Sequence, residues 1–95
     1  MAHDEEFEWD KAKAADNQAR HGVSFEAAQG IFGDPFAIEF EDDRKSYGEQ
    51  RFVIIGTVDD RVLSVVYTMR EETIRIISAR GATAYERRKY HEENG

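Results

Sequence analysis

The chain has no cysteine among its 95 residues, which excludes a disulfide framework and a thiolate metal site and gives no support to an extracellular address. Long hydrophobic runs are missing too: the longest fall far short of the ~20 residues that a membrane-spanning helix needs. The opening Met1-Ala2-His3-Asp4-Glu5-Glu6 is acidic where a secretory leader needs positive charge, so a cytoplasmic location is expected. Proline occurs once and the seven glycines do not cluster, and neither repeats nor low-complexity stretches appear. With no linker to divide it, and with 40% hydrophobic and 35% charged residues, the chain is expected to form a single domain over 1–95. Histidine is scarce and scattered: His3, His21 and His91 offer no pair at ligand spacing, so no metal site is expected. There is no Gly-x-Ser-x-Gly, phosphate loop or dinucleotide fingerprint, and no cofactor is expected either.

Cations are in short supply in the first half. Residues 1–43 carry twelve acids against Lys11, Lys13 and Arg20, whereas residues 44–95 carry eight acids and ten bases. A net charge of −7 opposes nucleic-acid binding by the molecule as a whole. Its uneven distribution still permits a local basic face, and it gives the acidic half a field that steers a basic partner.

What is present reads as an α+β pattern. Asp10 stands as an N-cap before the alanine-rich Lys11–Arg20 stretch, and Gly22 supplies the left-handed residue that ends a helix over about 10–21. Ser24 caps a second short helix, Phe25–Phe32, which Asp34-Pro35 cannot continue. From Phe36 the period changes to two, and Phe36, Ile38 and Phe40 mark a strand with one wet face before a polar loop, Glu41–Gln50. Arg51–Val58 and Val62–Met69 flank the two-residue link Asp59-Asp60, and Glu71-Glu72 turns the chain into a fourth strand, Ile74–Ala79. Thr83 and Glu86 stand three apart as a capping box, opening a helix whose Arg87-Arg88-Lys89 suits the negative end of the macrodipole. The expected fold is two N-terminal helices, a four-stranded mainly antiparallel sheet and a C-terminal helix, with helices on one sheet face and the other left available.

Three arginines fall at strand ends: Arg51 opens the second strand, Arg70 ends the third and Arg80 ends the fourth. Strands two and three run antiparallel, so Arg51 and Arg70 belong to one edge, and sheet twist is expected to bring Arg80 round to the same groove.

These residues carry a resemblance. Phe7-Glu8-Trp9-Asp10, Lys13, Asn17, Arg20-His21-Gly22-Val23-Ser24-Phe25-Glu26-Ala27, Phe32 and Asp34-Pro35 resemble the opening of the BrnT toxin family. Gly48-Glu49-Gln50-Arg51-Phe52, Ile55-Gly56, Tyr67-Thr68-Met69-Arg70, Ile74–Arg80, Ala82-Thr83, Glu86-Arg87-Arg88 and Tyr90 resemble its remainder in order and spacing. The resemblance implies a RelE-like fold and an endoribonuclease that arrests translation without a metal. It also implies a BrnA-like antitoxin that covers the enzyme and carries the DNA-binding function, in a dimeric or heterotetrameric complex. Gly81 and Ala84 stand where the family usually has cations, and Glu71-Glu72 makes the last hairpin more acidic than usual.

Metal-free RNA cleavage must deprotonate a 2′-hydroxyl, stabilise a doubly charged phosphorane and protonate the 5′-oxygen. Arg51, Arg70 and Arg80 suit the middle task, because a guanidinium fork pairs with two phosphate oxygens at once. Glu49 or Tyr67 is the candidate base, and Tyr67 or His21 the candidate acid. Plainer readings stand beside these: Glu49 as a loop acid, Tyr67 as a strand aromatic, His21 as a helix-end residue, and the arginines as sheet-edge solubilisers. Arg75 reads as a charge partner for the neighbouring hairpin and Trp9 as a core anchor. Two functions stay open: a ribonuclease toxin, or a non-catalytic domain that binds the antitoxin and tunes repression.

Overall fold

The computed structural model describes residues 6–43 and 48–94, so the expectations for the acidic opening, His3 and the middle of the polar loop lie outside the described residues. In chain order the elements are β1 (Phe7–Glu8), α1 (Lys11–His21), α2 (Phe25–Ala28) with a 3-10 turn over Gln29–Gly33, β2 (Ile38–Asp42), β3 (Arg51–Val58), β4 (Arg61–Arg70), β5 (Thr73–Gly81) and α3 (Ala84–Asn94). The α+β class holds. The sheet, however, has five strands in the order β1-β5-β4-β3-β2, and it is mixed because β1 runs parallel to β5. Two residues are too few to show a period, and this is why Phe7–Glu8 escaped the strand pattern. No helix among the described residues is long and apolar enough to cross a membrane.

The local signals act as their chemistry dictates. The Asp10 carboxylate accepts from the Lys13 amide at 3.0 Å, Gly22 adopts φ 69° at the end of α1, and the Ser24 hydroxyl accepts from the Ala27 amide at 3.0 Å. Asp59 and Asp60 take positive φ, 51° and 66°, so the β3–β4 link is a tight hairpin turn with aspartates in the role usually given to Asn-Gly. Gly56 is required by space: a Cβ there would meet Ile31 Cγ1 at 2.9 Å and Asp34 Oδ2 at 3.0 Å, so the glycine lets the 3-10 turn and the Asp34 turn lie against β3.

Alternation along the strands sorts the core. Ile54, Val65, Tyr67, Ile76 and Ala79 face α1 and α2 and pack on Phe25, Ala28 and Ile31. Trp9 anchors this layer edge-on to Phe25, and Phe7 packs on Phe32 with ring centroids 5.3 Å apart. Val53 and Ile55 face the other way and meet Ala82 and Tyr90 of the α3 region. The expectation that one face stays uncovered is therefore corrected: α3 closes one end of the second face, and no other helix among the described residues covers the far end. The C-terminal helix also runs past its cations to Asn94, so its last turn holds His91 beside Glu92 and Glu93.

Two polar groups, the buried Asn17 and the half-buried Asp34, tie the layers together. Asn17 of α1 donates to the carbonyls of Val23 (3.0 Å) and Ala79 (2.7 Å) and accepts from the Ala79 amide (3.1 Å). Asp34 accepts from Thr57 N (2.8 Å), from the Tyr90 hydroxyl (2.7 Å) and from Phe36 N (2.9 Å), so one carboxylate joins the turn before β2 to β3 and α3. Burial opposes its charge, but these three donors win and lower its pKa.

Truncating Asn17 to alanine strands both Ala79 groups and is expected to cost about 2–4 kcal/mol. Ile76→Ala, in a site 2% exposed, is expected to cost a similar amount, roughly 2–4 kcal/mol. Urea unfolding of each variant measures this, and an unchanged midpoint for Ile76→Ala would show that β5 is peripheral to the core.

Candidate functional site

The open end of the second sheet face holds a row that crosses all five strands. Register pairs Glu8 with Arg75, Arg75 with Thr68, Thr68 with Arg51, and Arg51 with Asp42. Paired residues point to the same side of a sheet, so these five share a face, away from the α1 and α2 layer. Arg51 and Arg75 flank Thr68 at two strand spacings, about 10 Å. Thr68 is 2% exposed, and its hydroxyl donates to the Gln50 carbonyl, which fixes the chain as it enters β3.

Charge is organised around this row. The Glu49 carboxylate accepts from Arg51 Nε at 3.2 Å and lies 4.0 Å from Arg70 Nη2, so it bridges the two arginines that the sequence assigned to one edge. Arg75 pairs with Glu8 at 3.0 Å. Its partner is thus the parallel strand β1 and not the neighbouring hairpin. Asp42, buried on β2, stands opposite Arg51.

Arg80 lies on the same face but elsewhere. It pairs in register with Ser64, four residues along β4 from Thr68, or about 13 Å from the Arg51–Arg75 row. Twist does not bring it round to the other two. Its fork clasps Glu86 with bonds of 2.8 and 3.0 Å. The Thr83 amide donates to Glu86 Oε1 at 2.9 Å, and the Glu86 amide donates to the Thr83 hydroxyl at 3.1 Å, so the expected capping box is present and Arg80 is fastened to it. Burial would raise the Glu86 pKa, but the Arg80 and Thr83 hydrogen bonds outweigh it and lower the carboxyl below its ordinary value. Arg80 in this position sets the start of α3.

Tyr67 and His21 are not brought to the arginines. Tyr67 is 8% exposed on the opposite face, with ring centroids 5.1 Å from Phe32 and 5.4 Å from Phe52, which makes it core. His21 ends α1, on that same far side of the sheet. Among the described residues no three histidine, aspartate or glutamate side chains converge so as to hold a metal ion.

Arg75 and Thr68 are the residues that sequence reasoning missed. In an unbroken strand Arg75 and Arg80, five apart, would face opposite ways, but a bulge opposite Val66/Tyr67 leaves Ile77 without a register partner and turns both to one side. The signal was the doublet Ile76-Ile77, which breaks the alternation. Gly81 falls outside this face, and the Arg61 guanidinium lies 3.0 Å from where a Cβ would stand. A cation at position 81 would therefore point away from the row.

The arrangement suits a phosphodiester. Two planar forks on either side of a small polar residue present donors to an anion, Arg70 adds charge at the rim, and Glu49 is a proton acceptor beside them. A family model described as "Ribonuclease toxin, BrnT, of type II toxin-antitoxin system" matches residues 9–86. No curated protein matches the chain.

The Arg80–Glu86 pair predicts a pH dependence. A carboxyl whose folded pKa is lowered contributes stability above its unfolded value, about 4.3, and loses it as pH falls through the folded value. Glu86→Gln is expected to be less stable than the parent at pH 7 and to converge with it on acidification below that window. Thermal unfolding across pH measures the gap, and a gap that does not change with pH would assign the loss to packing.

Proposed function

The chain belongs to the BrnT family of ribonuclease toxins of type II toxin–antitoxin systems, and from that premise we propose that it cleaves RNA at the open end of its sheet. The carrying observation is the placement of Arg51 and Arg75 either side of Thr68, with Arg70 and Glu49 at the rim. A scissile phosphate seats between the two forks. Glu49 takes the proton of the 2′-hydroxyl, the 2′-oxygen attacks phosphorus, and the P–O5′ bond breaks. The 5′-oxygen leaves with a proton from water, giving a 2′,3′-cyclic phosphate and a 5′-hydroxyl. The arginines hold the phosphorane's second negative charge, which is where such a site earns its rate. Substrate phosphate competes with Glu49 for Arg51 and Arg70, so binding loosens the carboxylate as the reaction needs it. Arg80 acts at a distance, by holding α3 to the sheet.

Membership of a type II family implies an antitoxin partner. We propose a BrnA-like, DNA-binding antitoxin, with at least two copies of this chain in the complex and translation arrest as the cellular outcome when the toxin is released.

One observation favours the non-catalytic alternative: Arg51, Arg75 and Arg80 are each paired with a carboxylate of the chain itself. Internal compensation of that kind serves a binding module as well as an enzyme at rest.

Purified chain should cleave single-stranded RNA in EDTA, with kcat/KM falling as salt rises because phosphate neutralisation carries affinity. Arg51→Ala should lower kcat/KM by about 10²–10³, as for loss of one transition-state donor. Loss of cleavage on chelation, restored by a divalent metal, would remove this mechanism. A folded parent chain that neither cleaves RNA nor arrests growth would favour the binding module.

A further inference from the structure

Large apolar side chains are exposed at few places among the described residues, and two of them, Phe40 (49%) and Tyr85 (60%), share one groove. Phe40 and Tyr85 border a groove of about 680 Å³ between β2 and α3, floored by Ile38 and Ile55. Just before β2, Asn94 of α3 donates to the Phe36 carbonyl at 3.0 Å and holds the end of the helix to this edge. The groove lies beyond the arginine row, on the side of the sheet that α3 covers. β2 is also a sheet edge, paired with β3 on one side and with no strand on the other among the described residues. An exposed edge beside an apolar groove is the arrangement into which an extra strand fits: its backbone pairs with the edge, and its alternate side chains fill the groove.

Charge selects the occupant. Residues 38–43 read Ile-Glu-Phe-Glu-Asp-Asp, four acids without a cation, and Glu93 adds another at the α3 wall against Lys89. A second copy of this chain pairing through β2 would set those acids against themselves, which opposes a symmetric dimer here. A basic strand meets the opposite field.

We infer that the β2 edge and the Phe40–Tyr85 groove dock an extended basic segment of a partner protein, added as a sixth strand with apolar residues alternating toward the groove and lysines or arginines along the acidic border. The identity of the partner as the antitoxin rests on the family reading above; the surface and the chemistry it selects do not. Paired along Ile38–Asp42, the segment would run from the groove to the border of the proposed RNA site at Asp42, so that one segment both anchors the partner and reaches the site.

Hydrogen exchange on the purified complex with the cognate antitoxin tests this, together with two variants of the whole chain. Backbone amides of Ile38–Asp42 should gain protection in the complex. Phe40→Ser with Tyr85→Ser should weaken antitoxin affinity at least tenfold while RNA cleavage by the uncomplexed chain stays at the parent rate. Glu41→Lys with Asp43→Lys, which leaves the apolar groove intact, should slow association and flatten its salt dependence. Parent affinity in the Phe40/Tyr85 variant, protection confined to the arginine row, or a self-dimer abolished by Phe40→Ser would overturn the inference. Absence of RNA cleavage by the parent chain would count against the proposed enzyme alone, since docking is read by affinity and exchange.

Discussion

The side-chain amide of Asn17 is the interaction on which the architecture turns. β1 pairs with only the first part of β5, at Ile74 and Arg75, so further along the outer edge Ala79 has no strand beside it. Asn17 takes that place: it accepts from the Ala79 amide and donates to the Ala79 carbonyl, as an adjoining strand would. A third bond, to the Val23 carbonyl, draws in the chain just beyond Gly22. One residue of an otherwise polar helix thereby satisfies a buried strand edge, fixes α1 on the sheet and blocks that edge from pairing with another molecule. Ala79 is fully buried, and its small side chain lets α1 approach this closely.

From that attachment the two faces acquire different tasks. The face under α1 and α2 is apolar and carries Tyr67 into the core. The other face is divided by α3, which the Arg80–Glu86–Thr83 cluster sets at one end while the row from Glu8 to Asp42 remains at the other. The bulge at Ile77 lets Arg75 and Arg80 share the face that Arg51 occupies.

Much of this was legible in the sequence. Caps at Asp10, Ser24 and Thr83, the stop at Gly22, both hairpin links and the three long strands follow from chemistry that acts within four residues, and the structure has each of them. The parallel strand β1 was not legible, since a two-residue strand has no period and its partner lies 67 positions away. The site was half legible. Glu49, Arg51 and Arg70 share an edge as hairpin geometry requires, whereas Arg80 ends a strand antiparallel to β4 and so lies near the start of β4, and the expected twist does not carry it back. Tyr67 carries a hydroxyl suited to proton transfer, but parity with Val65 and Leu63 puts it in the core. Arg75 reads in sequence as a charge partner of the neighbouring hairpin, and it shares a face with Arg80 only through the bulge at the Ile76-Ile77 doublet.

The proposed seat of an RNA phosphate is the row formed by Arg51, Thr68 and Arg75. Titrating the chain with a short RNA made uncleavable by 2′-O-methylation, and following backbone amide and arginine Nε–H resonances by NMR, tests it most directly. Saturable shifts are expected at Arg51, Arg70, Arg75 and the Thr68 amide, weakening with salt, while Tyr67 and His21 stay still. Shifts centred on the α1 and α2 side of the sheet, or none along the row at saturating RNA, would contradict it.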